Sequence, residues 1–134
     1  MKKLILTLGI LFMSAIGFSE TLTGSFVSKI HQISGDITLE TTGKEIVITN
    51  FTYDGNGKDV YIVLSKDGDF KDMKVISKEL KKGYVNEELK LKVNNLGKLV
   101  DEGYTTISVY TKKNKSSFGD ATLAETEKTS EDKN

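Results

Sequence analysis

Apolar and polar positions alternate along most of the chain with the two-residue period of strands that bury one face. Phe26, Ser28 and Ile30 alternate with Val27, Lys29 and His31, which predicts a strand over 26–31. Ser34-Gly35-Asp36 reads as a turn into Ile37-Thr38-Leu39-Glu40, apolar inward and polar outward. Thr42-Gly43 turns the chain into the run from Ile46 to Phe51, and Asp54-Gly55-Asn56-Gly57 is a dense turn signal. Val60 to Leu64 is apolar on both faces and is predicted to be the most buried strand. After a turn at Lys66-Asp67-Gly68-Asp69, Met73 to Ile76 is a weaker strand. Leu89 to Val93 alternates cleanly, with its lysines in water. Leu96 to Glu102 suits one helical turn ended by Gly103, and Ile107–Thr111 and Phe118–Leu123 close the pattern as strands.

Seven or eight short strands with frequent turns and no long amphipathic helix predict a single-domain, all-β, antiparallel β-sandwich. The ends of the chain differ from this body. Met1-Lys2-Lys3 is cationic, Leu4 to Phe12 is apolar apart from Thr7 and Gly9, and small residues follow at Ser14, Ala15, Gly17 and Ser19. That order is the layout of a secretory signal peptide, and the apolar stretch, ending near Phe18, is short for a bilayer span. An uncleaved anchor is the alternative. Cleavage after Ser19 fits best, with Gly17 as the other site the pattern allows. The expected organisation is a signal peptide over 1–19, a domain over 20–124 and a charged, disordered tail over 125–134. The mature protein is expected to be periplasmic or secreted.

Composition narrows the chemistry. The 134-residue chain has no cysteine, so disulfides and thiolate metal sites are excluded, and the fold rests on its apolar core. Proline, tryptophan and arginine are absent too. Removing residues 1–19 takes two lysines and no acid, leaving 17 lysines against 19 acids. A slightly acidic balance without arginine argues against nucleic-acid binding.

Gly24-Ser25-Phe26, then His31, then Ser34-Gly35 form an ordered set near the start of the domain. Asn50-Phe51, Gly57-Lys58-Asp59 before Val60–Leu64, and the ending Phe118-Gly119-Asp120-Ala121-Thr122-Leu123 continue it. Over about Leu22 to Leu123 the chain resembles the DM-13 domain, associated with Skeletor and DOMON-type extracellular proteins. The resemblance implies a β-sandwich and a role in extracellular electron transfer. Two departures stand out: Lys58 occupies a usual proline position, and the family's aromatic-Cys pair falls on Tyr110 and Thr111. A thiol can be oxidised or bind metal, whereas a threonine hydroxyl does neither under ordinary conditions. Thr111 shares a face with Ile107 and Val109, so it can fill a buried cysteine site if its hydroxyl finds an acceptor.

His31, Tyr110, Thr111 and Asp59 are therefore the candidate binding residues. His31, the sole histidine, reads either as a haem or metal ligand or as a residue hydrogen-bonding across the Ser34-Gly35 turn. Haem would need a second axial ligand, for which Met73 is the one methionine beyond the leader. Asp54, Asn56 and Asp59 are weak candidates for calcium, because Lys58 and Asp59 break the EF-hand spacing, and Asp67, Asp69 and Asp72 have the same status. Tyr104, Ser108 and Tyr110, with Tyr61 on the central strand, read as the second half of a two-sheet core or as an aromatic surface for sugar or peptide. No catalytic motif is present. The expectation is a monomeric, non-catalytic binding module that needs no cofactor and meets an envelope protein or glycan. The alternative is a redox accessory holding haem or metal through His31.

Overall fold

Alternating burial produces strands wherever the sequence keeps its two-residue period. The structure, a computed structural model, describes residues 20–126. Along the chain run β1 (Thr21–Ser25), β2 (Val27–Ser28), β3 (Ile33–Glu40), β4 (Glu45–Tyr53) and β5 (Val60–Lys66). They are followed by β6 (Asp69–Val75), β7 (Tyr84–Lys92), the helix α1 (Leu96–Asp101), β8 (Tyr104–Thr111), β9 (Ser116–Thr122) and β10 (Ala124–Glu125). Two five-stranded sheets result, ordered β10-β1-β3-β4-β7 and β2-β9-β8-β5-β6. Every pairing is antiparallel. The protein is an all-β sandwich.

Between the sheets Ile37, Ile46, Ile48 and Phe51 meet Ile62, Leu64, Ile107 and Val109, none more than 1% exposed. Burying side chains of this size stabilises a fold by about 1.5–3 kcal/mol each, which is what a chain without disulfides needs. β5 is buried on both faces, as its continuous apolar run predicts, because Val63 is also fully covered on the outer side. α1 ends at Glu102, and Gly103 takes φ 102°, the left-handed conformation that glycine adopts without strain.

Three expectations are corrected. Ser34-Gly35 is not a turn between strands but a bulge inside β3, where the register with β4 shifts. Only Val27–Ser28 of the expected 26–31 strand pairs as a strand. The Lys29 and Ile30 amides both turn onto the Phe118 carbonyl, at 2.7 and 3.2 Å, and the Ser28 hydroxyl takes the Ile33 amide at 2.8 Å. The loop that follows carries His31. Tyr104 leaves the face of Ser108 and Tyr110, since Lys66 pairs with Tyr104 and Ser65 with Thr106, which makes Thr105 an extra residue. Tyr104 then joins the core.

The tyrosines do not form an open aromatic surface. Tyr110 is 6% exposed, with its ring centroid 4.6 Å from that of Phe70, and Lys112 lies over the half-buried Tyr61 at 4.5 Å. β10 pairs with β1 through Leu22–Glu125 and Thr23–Ala124, so the ladder reaches Glu125, where the charged tail was expected to begin. The expected signal peptide and the rest of the tail lie outside the described residues. Among the described residues no helix is long and apolar enough to cross a membrane.

Candidate functional site

A cleft of about 310 Å³ opens where the loop after β2, the β4–β5 loop and the β8–β9 turn meet. The β9 register shifts between its pairings with Val109 and Tyr110, and the bulged Phe118 points toward Tyr53. The His31 ring packs on Phe118 with centroids 4.2 Å apart and meets the Tyr53 ring edge-on at 6.5 Å. Gly57 is tightly enclosed beside them. A β-carbon there would lie 2.5 Å from the Phe118 ring and 2.8 Å from the Tyr53 hydroxyl, which accepts the Gly57 amide at 2.9 Å. Burial pushes the Tyr53 hydroxyl pKa up, and nearby Asp54 adds to the rise, while the Gly57 amide pulls it partly down.

His31 does not bond across the Ser34-Gly35 segment. Its Nδ1 lies 3.0 Å from Asp54 Oδ2, while Asp54 Oδ1 accepts the Asn56 amide at 2.8 Å. Burial raises the Asp54 carboxyl pKa, but the Asn56 amide and the His31 ring outweigh it and hold the group below its usual value. Asp54 is then an anion at neutral pH, so its oxygen accepts the proton carried by His31 Nδ1 and the ring's Nε2 is left outside this contact. Thr111, 1% exposed, is the floor of the same cleft. Its hydroxyl donates to the Lys58 carbonyl at 2.7 Å and accepts the Lys113 amide at 3.2 Å.

Of the residues singled out from sequence, His31, Asn56 and Thr111 line this cleft, and Asp54 supports it through His31. Tyr110 does not join them, because it stands on the opposite face of β8. Asp59 stands outside the lining, with its carbonyl accepting the Lys112 amide at 2.9 Å. The sequence reading missed Phe118, Gly57 and Lys58 as cleft walls, although all three lie inside the quoted motifs.

The cleft thus joins the early histidine, the Gly-Lys-Asp step and the Phe-Gly ending, and the match to known families covers the same stretch. Residues 25–123 match the family described as electron transfer DM13. The chain belongs to the DM13 family. No curated protein and no solved structure matches it.

In this DM13 domain the donor set fits poorly with a haem held between His31 and Met73. Met73 lies on edge strand β6, between the Leu64–Lys74 and Lys66–Asp69 pairs, whereas Thr111 in the cleft pairs with Val60. From Val60 to Ser65 is five residues of strand, about 17 Å at 3.3–3.4 Å per residue. The two side chains cannot share one iron. For calcium, both Asp54 oxygens are already engaged, and among the described residues no three His, Asp or Glu side chains converge to hold a metal.

A second polar cluster of the domain lies on the outer face of the β2-containing sheet. Asp120 accepts the hydroxyls of Ser108 and Ser117, each at 2.6 Å, and Lys29 Nζ stands 3.1 Å away. Burial raises its pKa, but the two hydroxyls and the ammonium outweigh burial, leaving it below the usual carboxylate value.

Proposed function

We propose that this member of the electron-transfer DM13 family is an exported, monomeric binding module that performs no chemistry of its own and recognises its ligand or partner in the His31 cleft. One observation carries the reading. Where the resemblance places the family's cysteine stands a buried threonine whose hydroxyl is committed to the Lys58 carbonyl and the Lys113 amide. A thiol could cycle between oxidation states there; this hydroxyl holds two loops together instead. Export is supported by the leader-like order of residues 1–19.

The test is a spectrum and a metal analysis of protein purified from the cell envelope. A colourless, metal-free protein with its mature N-terminus at Glu20 is the expected result. Visible absorbance that disappears in His31→Ala would overturn it.

A second reading has one observation in its favour. Asp54 fixes His31 Nδ1 in the way carboxylates orient metal-bound histidines, which leaves Nε2 as a donor. A redox accessory that holds haem or metal through His31, with the remaining ligands from a partner, would use that geometry. It predicts that added haem or divalent metal binds the wild-type chain and fails to bind His31→Ala.

A further inference from the structure

The core of the sandwich does not close on every side. Ile76, Tyr84, Leu89, Leu91 and Leu99 are half-buried and pack against the core, and all five line a single slot of about 840 Å³. One wall is the chain from Lys74 to Leu80, which leaves β6 and stays hydrogen-bonded to β5 through the Ile76 and Leu80 amides. The other wall is β7, and Leu99 of α1 stands beside it. Both walls are sheet edges, since β6 and β7 end their respective sheets. The sandwich is therefore wedged open along one side, with apolar side chains showing in the gap.

Charge gathers at the mouth of this gap. Lys74 and Lys78 border one wall of the slot, with Glu79 as the acid beside them, while Lys90 and Lys92 of the other wall alternate with Leu89 and Leu91 and point to the outer face of β7. Lys74 is unusual because it pairs directly with core-facing Leu64 and so points to the inner side of its sheet. Its ammonium stands over the ring of the core residue Tyr104 at 5.5 Å. An inward-facing charge of this kind blocks another strand from adding to the edge, which disfavours a peptide as the occupant. An aliphatic lining with two lysines along one wall instead suits a molecule with an apolar chain and a single negative head.

We infer that the slot between β6 and β7 binds a monomeric single-chain anionic amphiphile of the fatty-acid type, with its chain against Leu89, Leu91 and Ile76 and its carboxylate at Lys74 and Lys78. The site is separate from the His31 cleft and does not depend on its function.

Titrating the full-length mature chain with a fluorescent dodecanoate analogue, then displacing it with unlabelled compounds, tests the inference. Saturable one-to-one binding is expected, tightening roughly fourfold for each methylene added between octanoate and dodecanoate. Dodecanoate should outcompete dodecanol by about fivefold at low salt, the scale of a well-placed surface ion pair. Leu91→Asn should weaken binding at least tenfold. The double substitution Lys74→Glu, Lys78→Glu should erase the preference for carboxylate over alcohol while the thermal midpoint stays unchanged. His31→Ala should bind as tightly as wild type. Equal affinity for dodecanol, no chain-length trend, or undiminished binding in Leu91→Asn would overturn the inference. So would binding to anionic phospholipid vesicles without any binding of monomeric dodecanoate.

Discussion

At the scale of single residues, Thr111 and Asp120 show how polar groups are held by partners that the fold brings to them. Thr111→Val keeps the shape but leaves the Lys58 carbonyl without its hydroxyl donor and the Lys113 amide without its acceptor. A loss of about 1–2 kcal/mol, read from urea unfolding, is the expected outcome. Asp120 makes the fold sensitive to acid. Its pKa is lower in the folded chain than in the unfolded one, so its stabilising contribution is complete above the ordinary carboxylate range and lost as pH falls through the folded value. Urea midpoints should therefore drop below about pH 4, and Asp120→Asn should flatten that part of the curve. That Thr111 would need an acceptor was legible in the sequence. The acceptor itself was not, because a backbone carbonyl 53 positions away carries no mark in the side-chain pattern. Asp120 was missed for a related reason: Lys29, Ser108 and Ser117 converge on it only once the β8–β9 register is set.

Elements were readable where alternation is strict and unreadable where one residue breaks the count. Ile37–Glu40 and Leu89–Val93 announce their strands, because a two-residue period fixes which face each side chain takes, and Val60–Leu64 does so by a short, unbroken apolar run. Gly35, Thr105 and Phe118 mark irregular pairings, and in sequence a glycine in a bulge looks the same as a glycine in a turn. The cleft depends on one of these breaks, since Phe118 faces His31 from the bulge. β10 was invisible for a different reason: two residues with one small apolar side chain give no pattern at all. Its attachment has a charge defect. Glu20 is raised above the usual carboxylate value, first by a hydrogen bond with Glu125 and then by its charge. A raised folded value means the favourable contribution exists at low pH and is lost as pH rises through it, so the two carboxylates oppose β10 docking at neutrality. Glu125→Gln should slow hydrogen exchange at the Thr126 amide, which bonds the Thr21 carbonyl at 3.2 Å, and the gain should vanish in acid.

For the whole molecule, half of the eight pairings join distant stretches of chain: β1 with β10, β2 with β9, β4 with β7 and β5 with β8. Such topologies fold in milliseconds to seconds, because long loops close before any contact is gained. The chain has no proline, so refolding followed by tyrosine fluorescence should lack the slow phase, tens of seconds long, that prolyl isomerisation produces. The pairing of β1 with β10 also sets where the described chain enters and leaves. Leu22 stands opposite Glu125, so both strands finish at one corner, across the sheet from β7. Chain order and shape are for that reason nearly independent of each other. Splicing residue 126 to residue 20 through a few glycines, and cutting instead at the Asp67-Gly68 turn, would give a circular permutant with the same fold.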